Sequence, residues 1–264
     1  MNDIEGICKE IKEFMRNTSF NKVEELDGME IFETPIVGIA TADDPLFTIL
    51  KEENVVGTHY MTPIEWLPKA KAVIAYFLPF TKRVREANRL KKDLPALEWL
   101  YGRIEGETVN NEIRKFLVEK IIQIGGEALV PAQDPRFTIK GYASNWSERH
   151  TAYIAGLGTF SLSKSLITEK GCAGRIGSII VSIPYEPTKR KYHDLYEYCS
   201  NCGACIRRCP VQAIDATGKK HEPCDTFLSN VTMKRFAPRY GCGKCQTAVP
   251  CEYKVPVKDS NKEV

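Results

Sequence analysis

Eight of the ten cysteines in this 264-residue chain fall between Cys199 and Cys251. They read Cys199-x2-Cys202-x2-Cys205-x3-Cys209-Pro210, then Cys224, then Cys242-x2-Cys245, then Cys251. Two-residue gaps let one tight loop aim three sulfurs at a single small object. The run is the spacing that holds a [4Fe–4S] cubane, with its fourth cysteine serving the other cluster of a pair. Pro210 keeps the backbone from folding back after Cys209. Eight thiolates therefore predict two cubanes. We assign Cys199, Cys202, Cys205 and Cys251 to one, and Cys209, Cys224, Cys242 and Cys245 to the other, so that metal ties both ends of the region together. Two plainer readings compete. The pairs 199/202 and 242/245 could form a zinc site, but that leaves four cysteines and Pro210 without a role. Disulfides would need an oxidising compartment.

The length allows one large or two modest domains. Apolar residues make up 43% and charged residues 27% of the sequence, as in ordinary globular proteins. A formal charge of +3 is too small to call for nucleic acid. No apolar run near 18 residues and no secretory or twin-arginine leader is visible. The expected setting is cytoplasmic, reducing and low in oxygen, with no membrane contact.

Ile4, Ile7, Cys8, Ile11, Phe14 and Met15 recur at helical spacing, so Cys8 reads as a core cysteine on an amphipathic helix. Residues 35–40 predict a short strand, and Asp43-Asp44-Pro45 a helix start. Pro63 to Pro68 reads as one helical turn, and His59 as a surface residue. The continuous apolar run 72–78 predicts a buried strand. After it, 79–89 reads as a loop whose Lys82, Arg83, Arg85 and Arg89 form a solvated face or meet the polar arms of a cofactor. Two helices are expected between Asp93 and Gly125, the second carrying Val109, Ile113, Phe116, Leu117, Lys120, Ile121 and Ile124 on one stripe. Residues 128–130 read as a strand and 131–137 as an irregular loop of the kind that lines sites. Ser147 reads as an N-cap. Gly171 to Gly177 reads as a turn before a strand at 178–183, and a structural role is favoured for Cys172. The Gly156-Leu-Gly158 turn lacks the preceding strand and third glycine of a dinucleotide fold. A Pro- and charge-rich linker at 184–191 sets a boundary between domains 1–190 and 191–264. The second domain has little apolar material, so its folding should depend on metal. Its end, from Lys258, reads as a mobile polar tail.

Glu148-Arg149, Ala155-Gly-Leu-Gly158, Leu166-Ile167, the cysteine run with Pro210, and Tyr240-Gly-Cys242-x2-Cys245 together resemble epoxyqueuosine reductases, a family related to the reductive dehalogenases. The motifs cover residues 130–255. The resemblance implies an α+β fold: a nitroreductase-like domain that holds cobalamin, followed by a ferredoxin-like double [4Fe–4S] domain. It implies that the cluster carrying Cys209, Cys224, Cys242 and Cys245 lies beside the corrin and reduces cobalt. It also places Ser144, Asn145, Arg149, Gly156, Leu157 and Gly158 at the cofactor. The sequence departs from the family in three ways. Counting back from Ala155, the family's catalytic aspartate falls on Tyr142, and its Asp-Ser-Ala-Pro stretch is here Tyr142-Ala-Ser-Asn145. A lysine after the glycine turn is replaced near Leu162. The C-terminal helical-repeat domain that helps grip tRNA is not found.

Reductive dehalogenases use a tyrosine as proton donor, and a phenol is a neutral donor at pH 7. Arg136, Lys140 or Arg149 could stabilise the phenolate left behind. The function expected from these residues is a cobalamin-dependent iron–sulfur reductase with Tyr142 as proton donor. Electrons would pass from an external ferredoxin or flavodoxin through two clusters to a small organic substrate. The alternatives are an electron-transfer or corrinoid-activating protein without its own substrate, or a shortened epoxyqueuosine reductase.

Overall fold

The computed structural model describes residues 3–256; the polar tail from Lys258 lies outside them. At its centre is a four-stranded antiparallel sheet in the order β3-β4-β10-β5. β3 is Ile36–Thr41, β4 is Ala72–Pro79, β5 is Ala128–Leu129 and β10 is Gly174–Val181. Ahead of it, β1 (Lys22–Val23) and β2 (Met29–Glu30) form a small hairpin. Every residue of β4 is buried, as its unbroken apolar run predicts. Successive side chains point to opposite faces, and each face has its own cover. Ile74, Tyr76 and Leu78 join Ile39 and Ile179 under α1 (Ile4–Asn17) and α5 (Leu97–Gln123). Val73 and Ala75 join Ala40 and Ile180 under α2 (Pro45–Ile49) and α6 (Glu148–Ile154). The result is a mixed helix and strand architecture with the sheet between two helical layers. The single turn α3 (Pro63–Trp66) is closed by a capping box between Thr62 and Glu65. Cys8 packs on the core from α1, as its spacing predicts.

Three expectations are corrected. The stretch after β4 is a helix, α4 (Lys82–Leu90), rather than a loop. Its basic residues do not all face solvent. Arg85 donates from Nε to the Phe80 carbonyl and pairs with Glu33 at 3.0 Å, while Arg89 meets Glu252 at 2.8 Å. Secondly, one 27-residue helix, α5, stands where two were expected. Gly102 and Gly106 suggest a break because glycine weakens helices, but here they let the helix cross the stacked Phe32 and Phe80 rings. A Cβ at these positions would lie 2.9 Å from Phe80 and 2.8 Å from Phe32. Thirdly, β10 begins at Gly174, inside the expected turn, because β4 supplies a partner along its whole length.

Beyond β10 the chain runs irregularly through residues 184–198. It then forms α7 (Ala204–Arg208), the β11 (Ile214–Asp215) and β12 (Gly218–Lys219) hairpin, and α8 (His221–Phe227). α8 continues through a π-helical turn, Leu228–Met233. Among the described residues, none after Tyr185 belongs to either hydrophobic core.

Candidate iron–sulfur and cofactor site

The eight clustered cysteines divide between two cavities. Cys199, Cys202, Cys205 and Cys251 line a narrow one, with Ser161, Leu162 and Val249. Cys209, Cys224, Cys242 and Cys245 line a deeper one of about 530 Å³. This grouping matches the one assigned from the spacing. In each set the sulfurs face an enclosed space, and among the described residues no three His, Cys, Asp or Glu converge tightly enough to hold a single ion. Burial, then the neighbouring sulfurs, pushes the Cys205 thiol up to about 12. Burial likewise pushes Cys242 up to about 12 and raises Cys245. Deprotonating thiols this buried calls for a nearby cation, as an iron–sulfur cluster supplies.

The fold positions these sulfurs through a few rigid contacts. Gly243, between two of the deeper set, has φ +67, and a Cβ there would lie 2.0 Å from the Trp99 indole. Substituting Gly243→Ala should therefore displace the Cys242–Cys245 loop from α5. We expect bound iron to fall by about half, which an iron assay checks. Next to Gly243, Lys244 is fully buried. Its Nζ donates to the Asn88 carbonyl at 2.9 Å and to Asn88 Oδ1 at 2.9 Å, while Asn88 Nδ2 donates to the Cys242 carbonyl at 3.1 Å. Burial lowers the Lys244 amine to about 8. α4 is thus the seam between the sheet and the cysteine-rich region. Sequence reasoning missed Lys244 and Asn88 because neither is a metal ligand.

The remaining wall of the deeper cavity comes from the sheet side: Phe80, Trp99 and Leu166 supply apolar surface, and Arg149, Arg175 and Gln246 supply donors. Glu148 and Arg149, adjacent on α6, have divided roles. Glu148 accepts from Arg114 at 3.0 Å and from the Ser178 hydroxyl at 2.5 Å. Arg149 lines the cavity, donating to the Lys164 carbonyl at 2.7 Å, and desolvation there lowers its pKa. Its large exposed surface therefore opens into the cavity.

The other residues expected at the cofactor lie elsewhere. Ser144 Oγ donates to the Trp146 carbonyl, and Asn145 is buried with its amide donating to the Arg136 carbonyl at 2.9 Å. Gly156 turns against Thr188, Leu157 packs in the core, and Gly158 starts β8 (Gly158–Phe160), which pairs with β9 (Leu166–Thr168). None of these five lines the deeper cavity. Tyr142, 56% exposed, sits at the tip of the hairpin of β6 (Ile139–Lys140) and β7 (Ala143–Ser144). Its ring stacks on His221 with centroids 5.0 Å apart, and Lys164 Nζ lies 3.2 Å from His221 Nε2. Burial, then Lys164, lowers the His221 pKa. None of Tyr142, His221 and Lys164 lines the deeper cavity, although chain neighbours of two of them do. Ser163 and Ser165, on either side of Lys164, line the cavity, as does Cys224 on the helix of His221. Arg136 is engaged by Asp134 at 2.8 Å instead.

A 4Fe-4S binding domain family matches residues 194–215, which contain the run Cys199 to Cys209. An epoxyqueuosine reductase of Bacillus subtilis is 28% identical over 204 residues, 72% of this chain and 50% of that protein. Over about 70% of its length the chain is similar to epoxyqueuosine reductases. It spans about half the length of the curated relatives it matches. The fold is shared with the epoxyqueuosine reductase of Streptococcus thermophilus, with TM-score 0.59, 17% identity, and coverage of 96% of this chain and 66% of that one. It is also shared with a catabolic reductive dehalogenase, with TM-score 0.58, 14% identity, and coverage of 84% of this chain and 30% of that one. Among the described residues, no helix is long and apolar enough to cross a membrane.

Proposed function

We propose that this chain is an iron–sulfur reductase of the epoxyqueuosine-reductase kind, with two [4Fe–4S] clusters and a cobalamin. Residues 1–190 would form the nitroreductase-like cofactor and substrate domain, and residues 191–264 the ferredoxin-like one. The observation that supports this most is the division of eight cysteines between two cavities, one of which has a second wall fit for a cofactor. Phe80, Trp99 and Leu166 offer apolar contact to a corrin ring, and Arg149 offers donors to its amide carbonyls. Cobalamin, when bound, supplies a strongly reducing metal centre. Cys202 is exposed, so the outer set is the natural entry for electrons from a ferredoxin or flavodoxin. The inner set, with Cys242 and Cys245, forms the cavity wall itself.

The names of the relatives favour epoxyqueuosine reduction over the reduction of a small organic substrate expected from the sequence. One observation favours the latter: Tyr142 stands where that family has its catalytic aspartate. The phenol stacks on His221, which a cationic amine, Lys164 Nζ, approaches to 3.2 Å.

Anaerobic reconstitution with iron and sulfide tests the reading. The protein should bind about eight irons, and added cobalamin should change its visible spectrum on mixing. Zinc in place of iron, or an unchanged corrin spectrum, would overturn it. Conversion of a tRNA stem loop carrying epoxyqueuosine then decides the substrate. On whichever substrate is turned over, Tyr142→Phe should slow the reaction by about 10²–10⁴-fold, with iron content and corrin uptake unchanged. A variant as fast as the parent would show that the ring only packs.

A further inference from the structure

Cys172 belongs to neither set of cluster cysteines, yet it touches one and lines the cavity of the other. Its Sγ donates to Cys251 Sγ at 3.8 Å. Cys251 lines the outer cavity, whereas Cys172 lines the inner one alongside Cys242 and Cys245. The thiol therefore stands behind an outer ligand, on the side that faces the inner set.

The contact is built by the backbone. Cys172 N–H donates to the Cys251 carbonyl at 2.8 Å, and Ala173 N–H to the Glu252 carbonyl at 3.0 Å, so the two stretches run together as a short ladder. Gly171 permits this approach, since a Cβ there would meet the Glu252 carbonyl at 2.4 Å. From the inner side, Gln246 Nε2 donates to the Cys172 carbonyl at 3.0 Å. Cys172 is 2% exposed. Water is thus excluded, and the S–H has a sulfur partner.

We propose that Cys172 is a positioning residue for electron transfer, whose thiol hydrogen-bonds to the Cys251 sulfur and sets the potential of the outer cluster. Hydrogen bonds to cluster sulfurs stabilise the reduced, more negative state and raise the potential. A thiol is a weak donor, but in a dry contact no water competes for its partner. The electron balance is simple: the outer cluster gains one electron from the donor protein and passes one to the inner cluster, and the Cys172 proton stays on its sulfur throughout. Raising the outer couple makes it easier to fill from a protein donor. The inference rests on the two-cluster reading above.

The test is a redox titration of the reconstituted full chain followed by electron paramagnetic resonance, with iron counted in the same samples. Cys202→Ser identifies the outer couple as the signal that it removes or alters. In Cys172→Ala the outer couple should shift to a more negative potential while the inner couple stays in place. Iron should remain at about eight per chain. Cys172→Ser, which keeps a donor, should hold the outer couple nearer to the parent value. If both couples stay put in Cys172→Ala, or the inner couple alone moves, the proposal is wrong. If both variants lose about half of the iron, Cys172 is a ligand and the proposal is also wrong. A parent protein with no iron–sulfur signal at all would instead defeat the two-cluster reading, which separates the two failures.

Discussion

Stripping iron from the folded chain should melt the region from about residue 194 to 256 and leave the four-stranded sheet standing. Among the described residues, the two hydrophobic cores end at Tyr185 and Ile180. Past Lys191, the buried apolar side chains among the described residues are Tyr192, Ala213, Ile214, Val249 and Pro256. Ordering each backbone residue costs about 1–2 kcal/mol, and so few apolar side chains cannot offset that over this length. The polar seam to α4 cannot replace a core either. Its ion pairs exchange water for protein partners and yield little net stability. The strong contribution left is cluster ligation, whose binding free energy is folding free energy. A chelator under reducing conditions should give fast hydrogen exchange at amides 199–251 and protected amides in β4 and β10. Heating should then show one transition without iron and a second with it. A single transition at one midpoint, with or without iron, would refute this division of stability.

That division also explains what could be read from the sequence. The cysteine run is legible because its geometry is local: gaps of two residues mean a tight loop, and no tertiary partner is needed to recognise it. β4 is legible because a strand covered on both faces shows no alternation at all. Long-range uses of common residues are less legible. Arg85 and Arg89 look like a solvated charge run, yet they meet Glu252, which is more than 160 residues away and fully buried. Gly102 and Gly106 look like a helix break, because the aromatic rings that need them come from distant segments, Phe32 between β2 and β3 and Phe80 just after β4. Cys172 looks structural because Cys251, its partner, lies 79 residues on. The Ser144-Asn145 stretch has polar side chains fit for a ligand, but it spends them on its own loop, on the Trp146 and Arg136 carbonyls.

Replacing Arg114 with methionine should cost about 3–5 kcal/mol of stability and disturb the cavity at a distance. Arg114 is 3% exposed and holds Glu107 at 2.8 Å and Glu148 at 3.0 Å. Methionine fills much of the same volume but leaves Glu148 buried with only the Ser178 hydroxyl, which itself accepts from Trp146 Nε1 at 3.0 Å. Burial already raises the Glu148 carboxyl above its ordinary value, with Arg114 as the main opposing influence. Without the guanidinium, that value rises further. A carboxyl whose folded pKa lies above its unfolded one binds more protons when folded. The stability is therefore lost as pH climbs through the folded value and regained on acidification toward about 4.3, the unfolded value. Denaturation at pH 6 and pH 8 should accordingly show the smaller deficit at pH 6. The double variant Arg114→Met/Glu148→Gln, which leaves no buried charge, should recover much of the loss at both pH values. An equal deficit at the two pH values, with no recovery in the double variant, would mean that Arg114 acts through packing alone. The consequence for the site follows from helix geometry. Glu148 and Arg149 are successive residues about 100° apart around α6, so the clamp on Glu148 is what turns Arg149 into the cavity. Once that clamp is released, Arg149 should lose its fixed direction, and corrin uptake should weaken in the single variant and return in the double.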